Sequence, residues 1–404
     1  MCFWSRGKLR ELDIEQINLS WTEQELPQKL RTKHVHGLHP YLGKFIPQLV
    51  EIFLRHYFEP GQRVLDPFVG SGTTLVEANV LGIHSVGVDI SEFNCLLSRV
   101  KTAKYDLMLL QREIFDILER VKRAISPQLS LQLPLMPAVR EKTIEYIGAS
   151  EYLEHWYAPQ ARLELLTYRN LIPEYEYQDV LKVILSRAAR SARRVPHYEL
   201  DWPKEPVRKP YYCHKHKRIC YPVTEAFKFL KRYSHDVYRR IKAFQAIRRD
   251  VEVNVLHADA RTVELEGQFD GVLTSPPYVG LIDYHEQHRY AYELLGLRDL
   301  SHLEIGTLSE GQSERAKALY IRGIVESFQN MLPHIRDGGV IIFIVNDKFG
   351  LYDEILSTAG VHLEKKLARQ VNRRTGRRGS GFGEDIFIIR PNKKQAGSDF
   401  APWR

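Results

Sequence analysis

Long hydrophobic runs are what this sequence most plainly lacks. No stretch approaches the roughly 20 apolar residues that a membrane-spanning helix needs, so no membrane partner is expected. Cysteine is scarce too. Cys2, Cys95, Cys213 and Cys220 are the four in 404 residues, too few for a disulfide framework, and a reducing, cytoplasmic setting is the expectation. The first 30 residues do not read as a signal peptide, because Lys8, Glu11, Asp13 and Glu15 interrupt their apolar positions. Internal repeats and low-complexity tracts are also missing. What remains is the composition of a soluble globular chain, 44% hydrophobic and 27% charged, long enough for one large domain or two ordinary ones.

Acidic residues are thin in one region. Between Arg187 and Arg249, 18 Lys or Arg stand against 5 Asp or Glu, more than enough to supply the whole net charge of +8 and leave the rest mildly acidic. A concentrated basic segment fits a polyanionic partner; it fits a solvated helical face equally well.

The strand signal Arg63-Val64-Leu65-Asp66 runs into Pro67-Phe68-Val69-Gly70-Ser71-Gly72-Thr73-Thr74, then into a helix signal closed by Gly82 and a second strand over 85–90. Strand, glycine turn, helix and strand in so short a span predict a βαβ unit and a parallel sheet. Glycines at such a turn let the backbone approach a ligand. The helix start offers free N–H groups to a carboxylate, and Asp89, ending the second strand, can accept ribose hydroxyls. Taken alone, the turn is also compatible with a purely structural corner. Leu75 occupies the third glycine position of the dinucleotide fingerprint, which counts against a nicotinamide cofactor.

A second unusual turn, Thr274-Ser275-Pro276-Pro277-Tyr278, follows a strand signal over 269–274. Two prolines fix φ and donate no hydrogen bond. They aim the Ser275 side chain and the Pro276 carbonyl as acceptors beside an aromatic ring, an arrangement suited to a planar substrate with an amino group. Ligands of open α/β sheets bind at the carboxyl ends of the strands, where both turns fall.

Both turns resemble, nearly residue for residue, those of the amino-methylating DNA methyltransferases that act on cytosine N4 or adenine N6. The resemblance covers about 35–99 and 251–390. It implies S-adenosylmethionine as cofactor, held by Asp66, Phe68, Gly70, Gly72 and Thr73, with Asp89 on its ribose. The run His36-Gly37-Leu38-His39-Pro40-Tyr41-Leu42-Gly43-Lys44-Phe45-Ile46-Pro47 resembles the element over the methionine end, which implies Lys44 near the carboxylate and Phe45 beside it. Asp259 matches the position that meets the cofactor adenine. Ser275, Pro276, Pro277 and Tyr278 match the catalytic motif, and serine in its first variable place is typical of the cytosine-N4 members. The cytosine-C5 class is not expected, since it needs a cysteine nucleophile and no Pro-Cys pair occurs. Double-stranded DNA is then the implied partner, its target base flipped by about 180°, and a cognate restriction endonuclease or other defence-system subunits are implied as protein partners. An RNA amino-methyltransferase and an inactive DNA-binding subunit are the rival readings. The first usually has Asp in place of Ser275; the intact turns oppose the second.

The predicted fold is α/β: a Rossmann-like methyltransferase sheet, mostly parallel with the last strand antiparallel, and a mainly helical insertion. Residues 1–104 form the cofactor half, 105–250 the insertion that selects the target, and 251–404 the catalytic half. DNA contacts are expected from Arg190, Arg193 and Arg194 in the insertion, from His288 and Arg289 after the catalytic turn, and from the basic loop containing Arg373, Arg374, Arg377 and Arg378. Residues 196–222 read as irregular loop. Within it, Cys213, His214, His216 and Cys220 do not follow a standard zinc spacing, and no metal ligand is assigned.

Overall fold

The computed structural model describes residues 12–43, 45–126, 150–371 and 382–392. Lys44, Arg373, Arg374, Arg377 and Arg378 lie outside them. Strands in chain order are β1 Arg63–Asp66, β2 His84–Asp89, β3 Tyr211–Cys213, β4 Arg218–Cys220, β5 Val253–His257, β6 Phe269–Thr274, β7 Ile335–Val345, β8 Val361–Val371 and β9 Phe382–Pro391. The principal helices are α1 Pro47–Tyr57, α2 Thr73–Leu81, α3 Glu92–Thr102, α4 Leu107–Ile125, α5 Glu151–Trp156, α6 Pro159–Leu171, α7 Gln178–Ala192, α8 Phe227–Gln245, α9 Arg289–Leu295, α10 Glu314–Met331 and α11 Tyr352–Ala359.

Seven strands form one sheet in the order β5-β2-β1-β6-β7-β9-β8. The first five run parallel, and β9 enters antiparallel between β7 and β8, as predicted for the last strand. Both faces of the central strands of this sheet are buried, which is why β1, β6 and the second part of β7 are apolar without a polar side. On β7, Ile342 and Ile344 join the cluster beneath α1, with Val50, Phe53 and Leu54; Ile341, Phe343 and Val345 join the opposite cluster, with Ile324, Phe328 and Met331 of α10. Ile386 and Ile388 of β9 divide from Phe387 and Ile389 in the same alternation.

Two strand features are not evident from the sequence. The apolar run starting at Val340 is only the second part of β7, which begins at Ile335 and passes through Gly338 at φ 75° with a register shift against β6. β8 was not anticipated: its residues alternate between half-buried and exposed, and charges such as Glu364 and Lys366 protect an edge at the cost of an apolar signature.

The helical segment between β2 and β5 shares its core with the sheet domain. A single apolar cluster runs from Phe93, Leu96 and Leu97 of α3 through Ile114 of α4, Leu165 of α6, Ile184 of α7 and Ile241 of α8 to Tyr290 and Ala291 of α9. Buried carboxylates lock it further. Glu113 accepts the backbone N–H groups of Glu176 and Tyr177, both at 2.9 Å, and Glu164 accepts those of Ala226 and Phe227 at 2.5 and 2.7 Å. Residues 196–222 are not wholly irregular. They contain the antiparallel hairpin β3–β4, whose three-residue strands are too short to show a periodicity.

Candidate active site

The turn after β1 is held open by its own geometry. Gly70 has φ 48° and Gly72 φ 76°, and a Cβ on Gly72 would lie 2.8 Å from Ser98 Oγ and 3.1 Å from Ser98 Cα. Glycine at 72 is therefore required both by the left-handed backbone and by the packing of α2 on α3. The Gly70 N–H donates to Asp89 Oδ2 at 2.8 Å, while Asp89 Oδ1 accepts from the Ser91 N–H at 2.8 Å and Asn94 Nδ2 at 3.1 Å. This carboxylate thus ties the ends of β1 and β2 together. Burial pushes its carboxyl up to about 6, against the pull of those donors.

Strands β1 and β6 are neighbours, with Leu65 opposite Val272, so their carboxyl ends meet. Asp66 Oδ1 accepts from Thr274 Oγ1 at 2.6 Å and from the Phe68 N–H at 3.2 Å, and burial pushes the Asp66 carboxyl to about 6 as well. Beyond Thr274, Tyr320 Oη donates to the Pro277 carbonyl at 2.9 Å, which anchors the proline turn from α10. The Tyr278 hydroxyl lies 3.5 Å from Ser275 Oγ and donates to Glu384 at 3.3 Å; Glu384 is itself held by Arg369 at 2.6 Å.

One cavity of about 770 Å³, counting the open space at its mouth, joins the two turns. Phe45, Phe68, Gly70, Ser71, Thr73, Asp89 and Asp259 line it from the predicted cofactor set and its neighbours, and Ser275 and Pro277 from the catalytic turn. Asp66, Gly72, Pro276 and Tyr278, expected in the site, are not among its lining residues. Ser71 Oγ, Asn94 Oδ1 and Asp66 Oδ2 are buried without a hydrogen-bond partner among the described residues. Such atoms cost about 1–3 kcal/mol each when left unpaired, and Ser71 and Asn94 face the cavity. The residues present therefore fit a polar ligand such as the amino-acid and ribose parts of S-adenosylmethionine. Asp259 reaches the cavity with both oxygens already engaged by Arg261, at 2.6 to 3.0 Å.

The lining residues Tyr41 and Glu304 are not among the site residues named from the sequence. Tyr41 stacks on Tyr284 at 5.8 Å between ring centroids and on His288 at 5.5 Å, forming an aromatic wall beside Gly70. Glu304 accepts the N–H groups of Tyr284 and His285, at 3.1 and 2.9 Å, and so fixes the segment after the catalytic turn. Nothing local marks Tyr41 or Glu304, because each matters only through a distant partner.

The candidate DNA contacts are mostly turned inward. His288 is 1% exposed, bonded through Nδ1 to the Tyr284 carbonyl at 3.1 Å, and burial lowers its pKa to about 3, so the ring is neutral. Arg193 is 4% exposed, donates to the Leu200 carbonyl at 2.7 Å and covers the Tyr290 ring. Arg190 pairs with Asp201, and Arg194 donates to the Tyr157 carbonyl. Arg289 is more open but lies between Glu293, at 2.8 Å, and Asp299, at 3.3 Å. Helical spacing of arginines could not tell an inner face from an outer one. A different basic groove lies between α7 and α8, lined by Arg187, Arg232, Tyr233, Arg239 and Arg240 around Asp236. Against the effect of burial, hydrogen bonds from Arg239, Arg240 and Arg187 hold the Asp236 carboxyl down at about 2.

A parallel sheet with one antiparallel insertion at β9, and a ligand cavity across the ends of β1, β2 and β6, defines a Rossmann-like methyltransferase. Comparison with known proteins narrows the class. Residues 7–99 match the family described as DNA methylase, of the N6/N4 type. The chain is 39% identical to type II methyltransferase M.MjaII of Methanocaldococcus jannaschii, across 90% of this chain and 82% of that protein. It is 26% identical to type II methyltransferase M.MvaI of Kocuria varians, across 60% of this chain and 53% of that one. Among solved structures, TrmN from Thermus thermophilus matches 87% of this chain and 50% of its own at 14% identity, with a TM-score of 0.32. The chain belongs to the amino-methylating DNA methyltransferase family, whose cofactor is S-adenosylmethionine. Among the described residues no helix is long and apolar enough to cross a membrane.

Proposed function

We propose that this chain methylates the exocyclic amino group of a flipped base in double-stranded DNA, with cytosine N4 preferred over adenine N6. The observation that carries the reading is that Ser275 and Pro277 share one cavity with Gly70, Ser71, Thr73 and Asp89. When bound, S-adenosylmethionine supplies an electrophilic methyl, so the protein's task is to present the amine. Ser275 Oγ and the Pro276 carbonyl accept the amino hydrogens and turn the nitrogen lone pair toward the cofactor side. Neither proline has an N–H to reorganise, which keeps both acceptors fixed where charge changes during transfer. Tyr278 supplies the stacking surface, its hydroxyl anchored on Glu384.

In this reading Asp66, Phe68, Gly70, Gly72 and Thr73 hold the cofactor, Asp89 its ribose and Asp259 its adenine, while Lys44 and Phe45 close the methionine end. Serine at position 275 favours cytosine N4, in line with the usual motif of that class. The helices of 105–250 select the target, and the groove at Arg187, Arg232 and Arg239 contributes phosphate contacts. The type II names of M.MjaII and M.MvaI support a paired endonuclease of matching specificity. Expression in a methylation-free host followed by modified-base sequencing tests the whole reading. N4-methylcytosine at one short recurring sequence is expected. N6-methyladenine there would transfer the preference, and unmodified DNA would end the proposal.

A further inference from the structure

The hairpin β3–β4 buries almost nothing of its own. Within its two strands only Cys213 and Cys220 are buried, at 0% and 5% exposure, while Tyr212, Ile219 and the adjoining Tyr221 are 50%, 54% and 71% exposed. An isolated two-stranded hairpin is marginal in water, and small units with little core are commonly stapled by a disulfide or a metal. The fold supplies the parts of such a staple. One ligating atom from each of His197, Cys213, His216 and Cys220 falls within 4.8 Å of all the others.

We propose that these four residues hold one structural zinc ion. His216 Nδ1 lies 3.6 Å from Cys213 Sγ and 3.5 Å from Cys220 Sγ. Tetrahedral zinc, with bonds of about 2.3 Å to sulfur and 2.0–2.1 Å to nitrogen, separates neighbouring S and N ligands by about 3.6 Å. The fourth ligand, His197, comes from the segment after α7, so the ion joins the hairpin to the insertion. Tyr211 Oη meets His197 Nδ1 at 3.1 Å, which orients the ring and leaves Nε2 for the metal. Lys217 adopts φ 53°, unusual for a residue with a side chain, to turn the chain between His216 and Cys220. The spacing hid this set, because its fourth member sits well upstream of the Cys213–Cys220 hairpin.

The site has a purpose that rests on the DNA reading above. It fixes a hairpin that presents Tyr212, Ile219 and Tyr221 to solvent among basic residues, a surface suited to nucleic acid. Elemental analysis of the untagged full-length protein, purified from zinc-supplemented culture under reducing conditions, tests the ion itself. About one zinc per chain is expected, with loss in Cys213→Ser and in His197→Ala and retention in Cys95→Ser. Cobalt-exchanged native protein supplies a second readout if the variants fail to fold: visible tetrahedral d–d bands with thiolate charge transfer are expected. Metal-free native protein, zinc retained in Cys213→Ser, or a Cys213–Cys220 disulfide would overturn the site. Cys213→Ser should keep cofactor affinity and lose at least tenfold in DNA affinity. Native DNA binding by the zinc-free variant would overturn the role given to the hairpin, whereas a native protein that holds zinc but methylates no DNA would fault only the proposed activity.

Discussion

At Asp89 three donors already converge on one buried carboxylate, and that arrangement sets what the residue can do. Its burial-raised pKa of about 6, against an ordinary 3.8, means that it becomes protonated as pH falls through about 6. If Asp89 accepts a ribose hydroxyl at its remaining lone pair, the ionised form is the better acceptor, so cofactor affinity should be constant above about pH 7 and decline below pH 6. A titration calorimetry series flat from pH 5 to 8 would remove the ribose role. Asp89→Ala removes hydrogen bonds to a charged group, worth about 1.5–3 kcal/mol, and should weaken cofactor binding about 10- to 100-fold. Tyr278→Ala should leave cofactor binding intact and reduce turnover by the equivalent of about 1–3 kcal/mol of base stacking; unchanged steady-state kinetics would refute a stacking surface there. Both turns were legible at this scale because glycine and proline carry their conformational meaning locally. Tyr41, Asn94 and Glu304 were not, since a tyrosine that stacks on Tyr284 or a glutamate that caps His285 is defined by partners far away in sequence. The same limit explains Arg193 and His288, whose charge-bearing side chains looked available and are buried against Tyr290 and Tyr41.

Elements reveal a different division. Helices α4 and α10 and strand β6 follow their sequence patterns closely, because each presents a continuous apolar stripe or run to a core. β8 and the β3–β4 hairpin offer no such stripe. One protects a sheet edge with charges, and the other buries only sulfur. Helix α8 starts without a side-chain cap of its own; Glu164 of α6 accepts its first N–H groups instead. Replacing that carboxylate removes a cap worth about 0.5–2 kcal/mol. Glu164→Ala should therefore lower the urea midpoint while the fold persists, and an unchanged midpoint would show that the contact contributes little.

Across the whole molecule, the insertion shares one core with α9 and with α3, the helix that lends Asn94 to the cavity. The insertion and the sheet that carries the cavity are thus mechanically joined, with no linker between them among the described residues. If the basic groove of α8 grips phosphates, Arg232→Ala and Arg239→Ala should each weaken DNA binding uniformly across sequences and lower the slope of log affinity against log salt by about 1. A salt slope equal to that of the native protein would place the phosphate contacts elsewhere. The cavity that spans the ends of β1, β2 and β6 is nevertheless the centre on which everything else depends. Labelled-methyl transfer from S-adenosylmethionine to unmethylated duplex DNA, measured for native protein and for Ser275→Ala alongside cofactor affinity, tests it most directly. Ser275→Ala should bind cofactor as tightly as the native chain and transfer methyl groups at least a hundredfold more slowly. Transfer at the native rate by Ser275→Ala would contradict a shared site for cofactor and base.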